Sequence, residues 1–216
     1  MHLVYLHGYA TSPASEDARV IAARLAERGI PLHIPDLNVP DFDHLTMTAI
    51  LARVAEEIRA LSPGAVGLIG NSLGGAAAVN FVHQYRHAEA AGVTKLALIA
   101  PAIETAEVWQ GLLGEEQLAR WRDTGTLDQY HYLYEEWHAV HYGFYEDLTR
   151  YPTAQASVNL PTLLFHGTRD EAVDYRASVR FAAFRPHVDL RLLDGDHRLL
   201  NHLDAITDAM IDFFGV

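Results

Sequence analysis

Apolar residues along the chain follow two spacings, and these predict strands and helices that succeed one another in turn. Short apolar runs that end at glycine, proline or a polar residue predict strands over residues 3–6, 30–35, 65–70, 95–100, 161–167 and 188–193. Apolar residues three and four apart predict helices over residues 15–29, 44–61, 73–90, 172–184 and 199–214. This alternation favours an α/β fold with a mostly parallel sheet covered on both faces.

The order of these strands determines where a ligand would bind. Right-handed crossovers favour the order 2-1-3-4-5-6 for the six predicted strands. Ligands bind such sheets beyond the carboxyl ends of the strands, where the order reverses, which here is between strands 1 and 3. The loop after strand 1 reads HGYATS and the loop after strand 3 reads GNSLGG. Both unusual loops should therefore meet at one place.

Length, composition and charge narrow the class of protein. The 216 residues suit one domain, 1–216, with enough apolar residues for a continuous core. A net charge of −12, with Lys95 as the one lysine beside fifteen arginines, argues against nucleic acid as a partner. The absence of cysteine excludes disulfides, thiol catalysis and thiolate metal sites. The first residues lack the pattern of a signal peptide and no segment reaches the length of a membrane span, so a cytoplasmic protein is expected.

The glycine-rich stretch VGLIGNSLGG, residues 66–75, resembles a nucleophile elbow. In a G-x-S-x-G turn between strand and helix, the serine hydroxyl is exposed above the sheet and glycine leaves room for the neighbouring backbone. Gly70 and Gly74 flank Ser72 at this spacing. A phosphate-binding loop does not fit, because no lysine follows the glycines. Ser72 is therefore the candidate nucleophile.

A serine nucleophile needs a histidine base and an acid that orients it, and both should lie on later strand-end loops. The loop after strand 5 supplies Asp170 and the loop after strand 6 supplies His197. For the acid, the sequence leaves Glu171, Asp174 and Glu104 open as alternatives to Asp170. For the base, it leaves His187 and His202 open as alternatives to His197. The backbone amides of Leu73 and Tyr9 are the candidate donors of an oxyanion hole, with His7 as a hydrogen-bonding scaffold.

The motifs YLHGYATSPAS, GNSLGG, DEAVDYRASV and GDHRLLNHLDAITDAMIDFFG together resemble the small bacterial esterases of the YqiA type, within the α/β-hydrolase superfamily. The resemblance covers residues 2–100 and 160–216, and it implies an α/β-hydrolase fold without the first two strands of larger members. It also implies that Ser72, Asp170 and His197 form the triad and that the enzyme hydrolyses short-chain esters without a metal or an organic cofactor.

Residues 103–158 do not match that group and are predicted to form a helical lid or cap. Aromatic residues recur there at helical spacing, which indicates a face packed on the core or a wall of the substrate pocket: Tyr130, Tyr134, Trp137, His141 and Phe144. Of these, Tyr134 and Trp137 are the candidate substrate-binding residues. His131, His138 and His141 do not form an H-E-x-x-H motif, so no metal is expected.

The residues therefore predict a serine hydrolase that cleaves small carboxylic esters through an acyl-enzyme. Thioesterase, acyltransferase and C–C or amide hydrolase activity on the same triad remain open. So does a binding protein that uses a hydrolase scaffold without catalysis. The sequence does not indicate the oligomeric state.

Overall fold

A computed structural model describes all 216 residues and contains eight strands and seven α-helices. The strands are β1 (His2–Leu6), β2 (Leu32–His33), β3 (Val66–Asn71), β4 (Val93–Ile99), β5 (Thr126–His131), β6 (Glu136–His141), β7 (Thr162–Gly167) and β8 (Val188–Leu193). The helices are α1 (Glu16–Ala26), α2 (Met47–Ala60), α3 (Leu73–Gln84), α4 (Thr105–Thr124), α5 (Gly143–Leu148), α6 (Tyr175–Ala183) and α7 (Leu203–Phe214).

Six of the strands form one sheet in the order β2-β1-β3-β4-β7-β8, and every neighbouring pair is parallel. This is the order predicted from sequence. The last two strands are the seventh and eighth along the chain only because β5 and β6 form a separate antiparallel hairpin. The α/β fold with a parallel six-stranded sheet is thus confirmed.

Alternate residues of each central strand lie in cores on opposite faces of the sheet. In β1, Leu3 and Tyr5 pack with α1 and α7, whereas Val4 and Leu6 belong to the larger core that includes α2, α3 and α6. All four side chains are fully buried. Each buried residue of this size contributes about 1.5–3 kcal/mol, so both faces hold the sheet rigid beneath the loops at its carboxyl edge.

The inserted segment 103–158, predicted as a helical lid, is helical only in part. It contains α4, which is interrupted at Gly114 (φ 69°), the hairpin β5–β6 and the short helix α5. The prediction of helical spacing through the aromatic residues is wrong, because Tyr130 and Trp137 face each other across the hairpin. Aromatic and β-branched residues favour strands, and cross-strand aromatic pairs stabilise them.

This insertion is fastened to the sheet domain by specific contacts. His138 Nδ1 lies 2.7 Å from Asp43 Oδ1, and the backbone amide of His141 donates to the carbonyl of Asp43 over 2.8 Å. Inside the insertion, the buried Trp121 indole donates to the Val140 carbonyl over 2.9 Å. The hairpin therefore has a defined position above the sheet edge. None of the seven helices combines the length and the apolar character needed to cross a bilayer.

Candidate active site

Ser72 occupies the sharp turn between β3 and α3. Its backbone has φ 52° and ψ −116°, a conformation that residues other than glycine rarely adopt. Four hydrogen bonds hold it there. The Ser72 amide donates to the Ile99 carbonyl, and the Ser72 carbonyl accepts from Gly75, Ala76 and Ala102 over 3.0–3.2 Å. The surrounding backbone thus fixes the side chain above the sheet.

The two flanking glycines of this turn are required by close backbone contacts. A Cβ atom on Gly74 would lie 2.0 Å from the Leu6 carbonyl oxygen, and one on Gly70 would lie 2.5 Å from the Gly74 carbonyl oxygen. Any side chain at either position would force strand, turn and helix apart. The sequence motif therefore has a steric cause in this fold.

His197 and Asp170 lie beside Ser72. His197 Nε2 is 3.0 Å from Ser72 Oγ, and His197 Nδ1 is 2.7 Å from Asp170 Oδ2. Because the carboxylate only accepts hydrogen bonds, Nδ1 carries the proton and Nε2 is free to accept one from the serine hydroxyl. The three side chains come from the loops after β3, β7 and β8, as the sequence places them.

The carboxylate of Asp170 is fully buried and accepts four hydrogen bonds. Oδ1 accepts from the amides of Ala172 and Val173 over 2.9 and 2.8 Å, and Oδ2 accepts from His197 and from His166 Nε2 over 2.7 and 3.0 Å. Burial alone would raise the pKa of Asp170, but hydrogen bonds from His166 and His197 outweigh burial and hold that pKa well below its usual range. Asp170 is therefore ionised wherever the protein is folded near neutral pH.

The rival acids and bases have other partners. Asp174 caps α6 by accepting from the Arg176 amide over 3.0 Å, and Glu104 pairs with Arg180 at 2.7 Å. His202 Nε2 lies 3.1 Å from the carbonyl of Asp194. Glu171 is exposed, and His187 lies before β8 at the opposite end of that strand. None of these five side chains hydrogen-bonds to Ser72 or His197.

The amides of Leu73 and Tyr9 are available as donors. Leu73 begins α3, so its amide has no acceptor within the helix, and Tyr9 follows Gly8 in the loop after β1. Neither amide donates to another group of the protein. A Cβ atom on Gly8 would lie 3.3 Å from Ser72 Cβ, so this loop passes directly over the serine.

The side chain of Tyr9 anchors this loop to the insertion. Its ring lies 5.1 Å from Phe42 and Trp109 and 5.6 Å from Phe144, centroid to centroid. Its hydroxyl is buried without a hydrogen-bond partner, and burial raises the pKa of Tyr9 well above its usual range. His7 crosslinks the same loop, because its Nε2 accepts from the Leu37 amide over 2.9 Å. The loop after β1 is therefore held from two sides.

A cleft of about 540 Å³ opens above Ser72. Its lining residues are Gly8, Tyr9, Ala10, Thr11, Ser15, Glu16, Asp17, Arg19, Asn71, Ser72, Tyr132, Leu133, His197, Arg198 and Leu200. One wall comes from the start of α1 and the other from the tip of the β5–β6 hairpin. A cleft of this size accepts a small molecule.

The two residues that the sequence predicts to bind substrate lie outside this cleft. Tyr134 stacks on His131 with 3.7 Å between ring centroids and accepts from Asn38 Nδ2, and Trp137 is 70 % exposed against Tyr130. Tyr132 and Leu133 at the hairpin tip line the cleft instead, and sequence reasoning did not single them out. The apolar residues of EWHAVH do not alternate regularly, so the sequence carries no clear signal for the hairpin or for its position over the cleft.

The histidines of the insertion do not converge on one point. His131 stacks on Tyr134, His138 pairs with Asp43, and His141 packs against His44 with centroids 4.3 Å apart. No group of three or more His, Asp or Glu side chains in the chain has the arrangement of a metal site.

The parallel sheet, the strained serine between β3 and α3, and the neighbouring histidine and aspartate define the α/β-hydrolase fold. The chain matches the model of the family described as "Uncharacterised protein family (UPF0227)" over residues 2–215 and belongs to that family. This is the YqiA-type family that the sequence motifs resemble.

Solved structures share the fold over almost the whole chain. Mouse alpha/beta hydrolase domain-containing protein 10 is 21 % identical with a TM-score of 0.80, covering 99 % of this chain and 89 % of that protein. Est1E from Butyrivibrio proteoclasticus with bound ferulic acid is 21 % identical with a TM-score of 0.81, covering 99 % and 88 %. The Paleococcus ferrophilus monoacylglycerol lipase is 14 % identical with a TM-score of 0.77, covering 98 % and 92 %. No curated protein sequence matches the chain.

Proposed function

We propose that this protein is a serine hydrolase that cleaves small carboxylic esters, with Ser72, His197 and Asp170 as its triad. The observation that carries the proposal is the continuous hydrogen-bond chain from Ser72 Oγ through His197 to the buried Asp170 carboxylate, over 3.0 and 2.7 Å. It lies at the floor of a cleft, beside two amides with no partner in the protein. Esterase and lipase names among the structural neighbours agree with this reaction class.

In the first half of the reaction, Ser72 Oγ attacks the ester carbonyl carbon while His197 Nε2 takes the hydroxyl proton. The carbonyl electron pair moves to oxygen, and the amides of Tyr9 and Leu73 donate to that oxyanion. The positive end of α3 adds favourable potential at the same place. The C–O bond to the alcohol then breaks, and the proton on His197 passes to the departing alcohol.

In the second half, water replaces the alcohol. His197 Nε2 takes a proton from water, the resulting hydroxide attacks the acyl-enzyme carbonyl, and the bond to Ser72 Oγ breaks. The proton returns to Ser72, so the enzyme ends in its starting state. Asp170 remains ionised throughout and stabilises the imidazolium that forms in each half.

The cleft walls favour short acyl or alcohol groups. Four charged side chains line the cleft: Glu16, Asp17, Arg19 and Arg198. A long alkyl chain would have to lie against them and remove them from water, which is costly. The apolar surface of the cleft includes the hairpin tip, where Tyr132 is 76 % exposed and Leu133 is 41 % exposed. Exposed apolar side chains beside a nucleophile are suited to contact a substrate.

We expect 4-nitrophenyl acetate and butyrate to be hydrolysed with higher kcat/KM than the decanoate ester.

Tyr132→Ala and Leu133→Ala should raise KM about 3- to 10-fold with little change in kcat, because they remove apolar contact that is equal in ground state and transition state. Trp137→Ala is the matched control, since Trp137 lies outside the cleft. A rise in KM for Trp137→Ala, or none for both tip variants, contradicts this assignment of the cleft wall.

The pH dependence of hydrolysis should have a single limb on the acid side. His197 must be neutral to accept the serine proton, so kcat/KM falls wherever acid protonates this imidazole. Asp170 adds no second limb, because its pKa lies well below the usual range and its carboxyl is already ionised. A rate–pH profile with acid slope 1 is the expected result. A slope near 2 would show that a second group titrates with His197.

A further inference from the structure

A second histidine lies behind the triad and takes no part in the proposed reaction. His166 is in β7, one residue before Gly167, and both its side chain and that of Asp170 are fully buried. The motif LFHG, residues 164–167, repeats the HG of the loop after β1, yet sequence gives no reason to place this ring against Asp170. The His166 ring is buried behind Asp170 and does not line the cleft, so it cannot contact a substrate.

The hydrogen bonds of His166 define which ring nitrogen carries the proton. Nε2 lies 3.0 Å from Asp170 Oδ2 and 3.1 Å from the carbonyl of Val173, and both of these atoms only accept. Nε2 is therefore the donor. Nδ1 lies 2.7 Å from Ser178 Oγ in α6 and shares a hydrogen bond with that hydroxyl. Every polar atom of the His166 ring thus has a partner.

The consequence for the triad follows from the geometry at Oδ2. This one oxygen accepts from His197 Nδ1 and His166 Nε2 at once, over 2.7 and 3.0 Å. The hydrogen bonds from the Ala172 and Val173 amides hold only Oδ1, so by themselves they would let the carboxylate rotate about that oxygen. The bond from His166 opposes that pivot and fixes Oδ2 on the line toward His197.

We infer that His166 is a positioning residue of the hydrolase, which acts through Asp170 to keep the catalytic imidazole aligned with Ser72. The inference rests on the proposed function of the triad. Misplacing a catalytic group by a fraction of an ångström lowers the rate of the chemical step, whereas substrate binding in the cleft is unaffected. The expected signature is therefore a fall in kcat at nearly constant KM.

Two conservative substitutions separate this role from simple packing. In His166→Gln the side-chain amide nitrogen replaces Nε2 and still donates to Asp170. In His166→Asn the shorter side chain places its amide oxygen near the Nδ1 position, facing Ser178. It is too short to place a donor at the Nε2 position, so it cannot hydrogen-bond to Asp170. Both variants are polar and neutral, so folding is comparable, and thermal unfolding checks it. They differ in the donor to Asp170 and by one methylene group in length.

We expect His166→Asn to lower kcat for 4-nitrophenyl acetate about 10- to 100-fold, and His166→Gln to restore most of that loss, with KM within about twofold in both. The low-field proton resonance of the His197–Asp170 hydrogen bond should broaden or vanish in His166→Asn and persist in His166→Gln. Wild-type kcat in His166→Asn, or equal losses in both variants with an unchanged resonance, overturns the inference.

The resonance keeps this test separate from that of the proposed function. It reports the contact between His197 and Asp170 in the protein without any substrate. A wild-type protein that hydrolyses no ester contradicts the proposed function, yet the resonance of the two variants still shows whether His166 positions Asp170. A resonance insensitive to His166→Asn contradicts the positioning role even if the wild type is active.

Discussion

Ser72→Ala is expected to lower kcat for 4-nitrophenyl acetate by about 10⁶-fold while the protein stays folded. The substitution removes the oxygen that forms the acyl-enzyme, and His197 is left without a proton to accept. The amides of Tyr9 and Leu73 remain, so a residual acceleration over water of about 10³- to 10⁴-fold is expected from polarisation of the ester carbonyl. Steady-state hydrolysis by wild type and variant, each compared with the uncatalysed rate, measures the two effects.

Ser62→Ala is a suitable control for this experiment. Ser62 is a surface residue whose hydroxyl lies 3.1 Å from His2 Nε2, far from the cleft along the sheet. Its substitution should leave hydrolysis unchanged, and both variants should show the wild-type thermal transition within a few degrees. If Ser72→Ala retains more than about one hundredth of wild-type kcat, Ser72 is not the nucleophile.

Asp170→Asn is expected to lower kcat by about 10⁴-fold. An amide nitrogen at the Oδ2 position donates, so His197 can no longer direct its Nδ1 proton there. The ring then favours the other tautomer, with the proton on Nε2, where it cannot take the serine proton. The substitution also removes the charge that stabilises the imidazolium. The rate loss should appear in kcat rather than KM, because Asp170 does not line the cleft.

Asp174→Asn is the matched control for the acid. Asp174 caps α6 through its side-chain oxygen, and asparagine caps helices equally well, so stability and kcat should stay close to wild type. Glu171→Gln tests the remaining neighbour of Asp170 in the same loop. If Glu171→Gln or Asp174→Asn lowers kcat as much as Asp170→Asn does, the assignment of Asp170 as the acid is wrong.

Much of the fold follows from sequence because its cause is local. The central strands are short, apolar and bounded by glycine or polar residues, and Ser15 marks the start of α1 as a helix cap. The parallel order then follows from handed crossovers, with no further information needed. Gly70 and Gly74 mark the turn that carries Ser72, because a Cβ atom at either position would lie only 2.0–2.5 Å from a backbone oxygen.

The structure of the insertion, residues 103–158, could not be predicted from sequence in the same way. Its aromatic residues satisfy a helical spacing by coincidence, and the pairing that decides between helix and hairpin is a contact between Tyr130 and Trp137 across a turn. The turn residue Glu135 has φ 56°, which the sequence does not signal with glycine. Contacts of His138 and His141 with Asp43 hold the hairpin, and with it the residues at its tip, over the cleft.

His166 shows the other limit of sequence reasoning. A histidine before a glycine at the end of a strand is explained equally well by packing. Its contact with Asp170 depends on the return of the loop after β7, where the Ala172 and Val173 amides turn the carboxylate back toward the strand. His166 and Asp170 are close in sequence, but their contact depends on the conformation of the loop after β7, which the spacing of apolar residues does not predict.

The most direct test of the account is covalent labelling of the native protein with a fluorophosphonate, followed by peptide mass mapping. We expect one phosphonyl group per chain, attached to Ser72, with labelling abolished in Ser72→Ala and strongly slowed in His197→Ala. Folded wild-type protein that takes up no label, or that is labelled on another residue at the same rate in Ser72→Ala, would contradict the claim that His197 activates Ser72.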